Sequence, residues 1–402
     1  MTSNFSSDGK RVSLLGYGAM RMPESSPGVI DQEHLNRQIK YLLDHGVTYY
    51  DTSPAYCRGA SEGCLGEAFS KSGYGRESYV IATKLSNFNK KQYPLAEAKK
   101  MFAASLKALR TDYIDNYLLH SIGNGGFENF RKRFVENGAI DWCCELREQR
   151  KIRNLGFSYH GDPKTFDWCL ENHSKYKWDF AMIQMNYVDW RHAKSLYGSK
   201  YDAKDLYDKL VALKIPVAIM EPVLGGRLAR YNWTISNELI PLDPGSTQAK
   251  WAFRFCGSKA GVLTVLSGMG EDAHIEENCA TFSPLKTCSE EEFAALERAA
   301  EAFVNCNTIP CNKCNYCMPC PYGLDIPAIL TYRNQFLSKD EGRSAKELLR
   351  EYEKAVPEKF RRADHCTGCG RCSTHCPQQI DIAKEIALID EKIDQLRNEV
   401  MK

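Results

Sequence analysis

Eight of the 17 cysteines fall into two runs, Cys311-x2-Cys314-x2-Cys317-x2-Cys320-Pro321 and Cys366-x2-Cys369-x2-Cys372-x3-Cys376-Pro377. The second run repeats the first at an offset of 55 residues for three cysteines and 56 for the fourth. Three thiolates at this spacing wrap one face of a 4Fe-4S cube, and in two-cluster ferredoxins the fourth cysteine of each run reaches the other cluster. The pattern therefore assigns one cluster to Cys311, Cys314, Cys317 and Cys376, and a second to Cys366, Cys369, Cys372 and Cys320. Structural zinc is the competing use of C-x2-C, but it takes four ligands in two pairs, not triplets followed by Cys-Pro. The first run has x2 where the bacterial ferredoxin signature has x3, and 45 residues with helical content separate Cys320 from Cys366. That departure points to a mainly α-helical dicluster module. The nine remaining cysteines, Cys57, Cys143 and Cys256 among them, are expected as small buried hydrophobes.

A second group of residues could move protons. Asp51 follows Val47-Thr48-Tyr49-Tyr50, Tyr56 stands in the loop after it, Lys84 ends Val80-Ile81-Ala82-Thr83, and His120 ends Tyr117-Leu118-Leu119. A buried Lys84 beside Asp51 stays charged, and its field is expected to lower the Tyr56 phenol so that it can donate a proton near neutral pH. His120 is then placed to orient and polarise a carbonyl. Each residue alone has a plainer reading, as a cap, a loop aromatic, a solvated strand end or a satisfied core histidine. Their placement at three successive strand ends does not follow from those readings.

The elements that must position these residues alternate in type. Eight strands are expected at Leu14–Gly18, Thr48–Asp51, Tyr79–Lys84, Ile114–His120, Arg153–Ser158, Ala181–Asn186, Val217–Glu221 and Val262–Ser267. Amphipathic helices are expected near Asp31–Asp44, Ser61–Lys71, Leu95–Leu109, Ile140–Gln149, Pro163–Glu171, Asp202–Leu213, Ser246–Phe255 and Asp272–Thr281. Eight of each predicts an α/β fold closed as a (β/α)8 TIM barrel, whose active face is formed by the βα loops. The rival, a doubly wound open sheet, usually shows G-x-G-x-x-G after its first strand, and here only Gly16-Tyr17-Gly18 stands there, which also suits a tight turn. A helical linker rich in Glu and Ala, Glu290–Phe303, leads into the cysteine region. The expected division is 1–286 for the barrel and 287–402 for the linker and a small, mainly α-helical ferredoxin-like iron-sulfur domain. Ala345–Glu353 and Ile380–Glu399 read as helices of that domain.

With 53 basic and 51 acidic residues among 402, the net charge is +2. No broad field attracts nucleic acid or an anionic membrane, and no apolar run approaches the 18 or more residues of a membrane helix. Many cysteines in a long chain without an export signal imply a reducing cytoplasm.

From about Leu14 to Phe282 the sequence resembles the aldo-keto reductases. The matching stretches are Gly46-Val-Thr-Tyr-Tyr-Asp-Thr-Ser-Pro-Ala-Tyr56, Gly59-Ala-Ser-Glu62, Ile81-Ala-Thr-Lys84, Tyr113-Ile-Asp-Asn-Tyr-Leu-Leu-His120 and Gly156-Phe-Ser158. With the cysteine runs added, it looks like the subgroup carrying a C-terminal ferredoxin domain. The resemblance implies a catalytic tetrad of Asp51, Tyr56, Lys84 and His120, with Tyr56 as general acid, hydride from a nicotinamide cofactor, and a small carbonyl or alcohol as substrate. His at the fourth position implies a carbonyl and alcohol couple. The cofactor contacts it implies are Gly18, Met20, Asp51, Ser158, Gln184, Met220, Pro222, Val223, Gly268, Met269, His274, Glu277 and Asn278.

The family pattern is broken at Tyr159, where an Asn is expected, and at Met220, where a stacking Tyr is expected. Gly268 and His274 stand where a Lys and an Arg grip the 2′-phosphate of NADP. Loss of those cations removes charge-assisted hydrogen bonds, so NADH, or a flavin whose phosphate uses the same helix N-terminus, is admissible beside NADPH. Hydride carries two electrons and a 4Fe-4S cluster accepts one. Three readings follow: a nicotinamide carbonyl reductase with structural clusters, a reductase fed through the clusters by ferredoxin or a flavin, and a non-enzymatic electron-transfer or interaction subunit. Among the loop aromatics, Tyr187, Trp190, Tyr197, Tyr231 and Trp233 are expected either to line an apolar pocket or to pack the loops onto the molecule.

Overall fold

The short aliphatic and β-branched runs form eight parallel strands: β1 Leu15–Gly18, β2 Tyr49–Asp51, β3 Val80–Leu85, β4 Ile114–Ile122, β5 Ile152–Tyr159, β6 Phe180–Gln184, β7 Val217–Met220 and β8 Val262–Ser267. They pair in chain order, and β8 returns to β1 with Val265 opposite Leu15 and Ser267 opposite Tyr17, which closes the barrel. Closure removes the open-sheet alternative. In the computed structural model all residues are described except 27, 230–232, 306, 307, 310, 312, 314, 338–341, 357–359, 377, 379 and 402. Cys314, an expected cluster ligand, lies outside the described residues, as do Tyr231 and the side chain of Trp233.

Strands covered on both faces are mainly apolar, as in β3, where all six residues are buried, Thr83 and Lys84 included. Tyr49, Val80, Leu118, Phe180, Met182 and Leu263 fill the barrel interior together with Val12, which comes from a hairpin of Ser3–Phe5 and Arg11–Ser13 preceding β1. Gly16 is a packing glycine: a Cβ there would come within 2.8 Å of the Leu266 and Thr264 side chains. The Gly16-Tyr17-Gly18 sequence is thus strand, not a phosphate loop.

The outer helices are α1 Gln32–Asp44, α2 Ser61–Lys71, α3 Leu95–Ala108, α4 Ala139–Glu148, α5 Pro163–Glu171, α6 Ala203–Ala212, α7 Gln248–Gly257 and α8 Asp272–Thr281. Their starts follow local chemistry. Asp162 caps α5 by accepting from the Thr165 amide at 2.8 Å, with Pro163 at the first helical position. The loop after β6 contains a further helix, Asp189–Tyr197.

The helix α9, Glu290–Asn305, buries Ala295, Leu296, Ala299, Ala300 and Phe303 in the barrel's outer core. The Arg254 guanidinium anchors its first turn through Glu292 at 2.6 Å, with the arginine side chain 1% exposed. Beyond α9 a separate core forms on α10 Ile326–Tyr332, α11 Ala345–Ala355 and α12 Ile382–Met401. Ile382, Ile386, Ile389, Ile393 and Leu396 recur at helical spacing on α12 and pack into this core with Tyr332 and Tyr352, whose rings lie 4.9 Å apart. The mainly α-helical character expected of this module holds.

Candidate active site

Three adjacent strands bring the expected tetrad to the C-terminal end of the barrel. Asp51 closes β2, Lys84 lies near the end of β3 and His120 near the end of β4. The Lys84 ammonium donates to Asp51 Oδ1 at 2.5 Å and to the Thr52 carbonyl at 2.8 Å, with both charged side chains almost wholly buried. Lys84 Nζ also stands 4.6 Å from the centre of the Tyr56 ring, and that ring meets His120 edge-on at 5.8 Å. Tyr56 opens a short turn in which Cys57 and Arg58 hold left-handed φ of 49° and 55°. Two non-glycine residues in that region store strain beside the phenol.

One expectation reverses here. Burial pushes the Tyr56 phenol well above its ordinary value, and Asp51 and Glu221 push it further. Lys84 does not offset this because its charge is balanced by Asp51 at 2.5 Å and it addresses the ring face. Burial likewise raises the Asp51 carboxyl, against the opposing pull of Lys84.

His120 is fixed by residues the sequence did not single out. Its Nδ1 meets the Ser86 hydroxyl at 2.6 Å and the Ser53 hydroxyl at 3.3 Å. Behind it the buried Arg133 donates to the carbonyls of His120 at 2.7 Å and Ser121 at 3.1 Å. Burial, then Lys84, holds the His120 imidazole well below the usual histidine range, so it is neutral at neutral pH. His160, just after β5, stacks edgewise 6.4 Å from His120 and is pushed down to about 4, again chiefly by burial. Ser86 lies two residues beyond Lys84 and His160 one beyond β5, so strand-end position was the available signal for both.

The residues expected at the cofactor divide into two groups. Pro222, Val223, Gly268, Met269, His274, Glu277 and Asn278 line one cavity of about 230 Å³, to which Arg21 contributes a guanidinium. Gly18 approaches this wall, its would-be Cβ lying 3.5 Å from the Ser267 carbonyl, and Met20 follows it, its carbonyl 3.6 Å from the Cys57 thiol. Met220 packs against the barrel interior. Ser158 and Gln184 lie outside that cavity's lining and are already engaged: the Ser158 hydroxyl accepts from the Ser121 amide at 2.8 Å, and Gln184 Nε2 donates to Asp189 at 2.7 Å. Tyr159 sends its hydroxyl to the Gly161 carbonyl at 2.6 Å. The aromatics Tyr187, Trp190 and Tyr197 are packing residues: Trp190 lies against Tyr207 and Phe255, Tyr187 is buried, and Tyr197 donates to Asp189 at 2.9 Å.

In the second domain the thiols line two cavities. Cys311, Cys317 and Cys376 face one, with Gln378 and Ile380, and Cys317, Cys320, Cys369 and Cys372 face the other. Cys376 from the second run thus lines a cavity with Cys311 and Cys317 of the first, and Cys317 and Cys320 of the first line the other with Cys369 and Cys372. Cys366 packs at the edge of the same core. Among the described residues no three His, Cys, Asp or Glu side chains converge closely enough to hold a single ion. The soft thiolate donors fit iron-sulfur clusters.

A larger cleft of about 760 Å³ separates the barrel loops from the second domain. Asn124, His160, Asp162 and Lys200 line one side, and Ser373, Thr374, Cys376 and Asp381 the other. Among the described residues no helix is long and apolar enough to cross a membrane.

Comparison with known proteins bears on both regions. Residues 14–301 match the model of the Aldo/keto reductase family, and residues 307–380 match a 4Fe-4S dicluster domain. The chain is 24% identical over 318 residues to the L-galactose dehydrogenase of Arabidopsis thaliana, covering 74% of this chain and 93% of that protein. It is 34% identical over 117 residues to the aldo-keto reductase YhdN of Bacillus subtilis, covering 28% of this chain and 35% of that one. Among solved structures, an aldo-keto reductase from Bacillus halodurans in its holo form superposes with a TM-score of 0.58 at 22% identity, covering 75% of this chain and 97% of that one. An aldo-keto reductase from Klebsiella pneumoniae in complex with NADPH gives 0.56 at 22%, covering 74% and 95%.

Proposed function

The chain belongs to the aldo/keto reductase family and carries a 4Fe-4S dicluster domain, and on that premise we propose that it reduces a carbonyl to an alcohol with Tyr56 as general acid. It is an oxidoreductase. The observation that supports this reading most is the buried Lys84–Asp51 pair at 2.5 Å, over which the Tyr56 ring sits at 4.6 Å with His120 edge-on beside it. A nicotinamide dinucleotide held by the Pro222–Val223 and Gly268–Asn278 cavity, with Ser158 and Gln184 near its carboxamide, would supply the hydride.

The side chains then do the following. As negative charge develops on the carbonyl oxygen, the phenol of Tyr56 gives it a proton. A phenol raised by burial keeps that proton at neutral pH, and an alkoxide is the stronger base, so the proton passes from Tyr56 to the substrate oxygen. Lys84 lies over the face of the Tyr56 ring, its charge already paired with Asp51. In the tautomer where His120 Nδ1 accepts from Ser86, the neutral imidazole carries its hydrogen on Nε2 and can donate it to the same oxygen.

The substrate cleft is assigned to the space between His160 and the second domain, whose polar walls suit a small hydroxylated carbonyl. The dehydrogenase relative named for L-galactose agrees with that class. Gly268 and His274 in place of the Lys and Arg make NADH admissible beside NADPH, with Arg21 as a cation of the same cavity. Residues 1–286 are assigned to the barrel, and 287–402 to the linker helix and a domain holding two clusters on its two sets of thiols. Thiolate-held clusters suit a reducing compartment such as the cytoplasm.

The test is Tyr56→Phe in holoprotein: carbonyl turnover is expected to fall by about 10²–10⁴-fold, with iron and sulfide content unchanged. Undiminished turnover would remove Tyr56 from the reaction. A second reading rests on Cys376, which lines both a cluster cavity and the substrate cleft: the clusters feed electrons to the site from a ferredoxin, through a flavin that converts single electrons to pairs. Turnover with reduced ferredoxin in the absence of nicotinamide is its expected sign, and absence of both flavin and such turnover refutes it.

A further inference from the structure

Gln184 and Gln378 stand 194 residues apart in sequence, in the barrel and the dicluster domain, and their side chains form an amide pair. Gln378 Nε2 donates to Gln184 Oε1 at 3.2 Å, and Gln184 Nε2 donates to Gln378 Oε1 at 3.5 Å. The orientation of Gln184 is fixed from behind. Its Nε2 donates to Asp189 Oδ2 at 2.7 Å, and that buried side chain is held in turn by Asn186 Nδ2 at 2.7 Å and by the Tyr197 hydroxyl, which donates to Oδ1 at 2.9 Å. A carboxylate oxygen accepts, so the Gln184 amide must turn its nitrogen toward Asp189.

One N–H and the oxygen of Gln184 then face the second domain, a donor beside an acceptor. A primary carboxamide is complementary to that pair, and Gln378 supplies one at a position only 4% exposed. Both Gln184 hydrogens are committed, one to Asp189 and one to Gln378, so a second carboxamide can bind only by displacing the first. Among the neighbouring groups, the Ser121 amide already donates to Ser158, and Tyr159 donates to Gly161.

We propose that Gln378 acts as the chain's own carboxamide in this subsite, so that its seating on Gln184 and nicotinamide binding there exclude each other. The proposal rests on the reading above that places nicotinamide at Gln184. Its consequence reaches the metal site, because Gln378 lies two residues from Cys376 and lines the same cavity as Cys376, Cys311 and Cys317. Releasing Gln378 changes the surroundings of the cluster held by these thiols, and by linkage the state of that segment sets nicotinamide affinity in return. Gln378 is thereby a specificity-determining residue contributed to the barrel site by the other domain.

The experiment compares anaerobically purified wild-type holoprotein with Gln378→Ala, and with Gln378→Asn, which keeps the site polar while shortening the amide. NADH and NADPH affinities are measured by direct titration, iron and sulfide are quantified, and the paramagnetic resonance spectrum of the dithionite-reduced clusters is recorded with and without nucleotide. The expected result is about 5–10-fold tighter nicotinamide binding in the variants at full cluster content. The wild-type cluster spectrum should change on nucleotide addition and the Gln378→Ala spectrum should not. Equal or weaker binding in both variants with clusters intact overturns the proposal and leaves the nicotinamide reading standing. No binding of either nucleotide to any of the proteins overturns both.

Discussion

At the mouth of the barrel each reactive side chain is held by neighbouring groups: Lys84 by Asp51 and the Thr52 carbonyl, His120 by Ser53 and Ser86, Gln184 by Asp189. In the dicluster domain the reactive thiols instead face open cavities from loops, on a small core built by three helices. The barrel site is thus organised by its own hydrogen bonds, whereas the dicluster domain presents its thiols from loops around its helical core. A region whose ligands are supplied mostly by loops gains much of its folding free energy from the bound cluster. The difference divides the molecule into a part that tolerates cofactor loss and a part that does not.

Removing iron is therefore the largest perturbation expected. Chelation under reducing conditions should open the region beyond α9 to protease while fragments ending near residue 305 survive, followed by mass spectrometry of the digest. Equal protection of both regions without iron would erase the contrast.

A break in the barrel's own network should act the other way. Lys84→Met leaves the Asp51 carboxylate buried without its partner, a loss of about 3–5 kcal/mol, read as a lower barrel unfolding midpoint with iron per chain unchanged. A midpoint equal to wild type would mean that the site is not self-supported.

The smallest effect expected is a pH dependence of stability confined to the barrel. His120 and His160 are both held below the ordinary histidine value, His160 at about 4. Between about pH 6.5 and 4 the unfolded chain therefore binds protons there that the folded chain does not. Stability is full above about 6.5 and falls as the pH drops toward 4, checked by denaturant unfolding monitored through barrel tryptophans. A flat profile across that window would show that these imidazoles are not buried neutral groups.

Much of this architecture was legible in the sequence because it is written in local patterns. The eight strand positions followed from short apolar runs, and Asp51, Lys84 and His120 were recognisable as polar residues ending such runs. The dicluster domain was visible in the two cysteine runs and their 55-residue offset. What escaped was non-local. The Gln184–Gln378 pair joins residues 194 apart, and neither glutamine's partner is implied by its neighbours in the chain. The direction of the Tyr56 shift follows from burial in the folded site, with Asp51 and Glu221 adding to it, an environment no spacing encodes. Helix α9 reads as a linker from its Glu and Ala content, yet its alanines pack on the barrel through a face only the fold defines.

The central claim is that this barrel transfers hydride to a carbonyl. Incubating the anaerobic holoprotein with NADH, and separately NADPH, deuterated at the transferable position, together with a small hydroxylated aldehyde, tests it most directly. The account predicts an alcohol carrying one deuterium on the former carbonyl carbon, found by mass spectrometry. Alcohol formed without deuterium from nucleotide labelled on either face of the ring, or no alcohol at all, would contradict it.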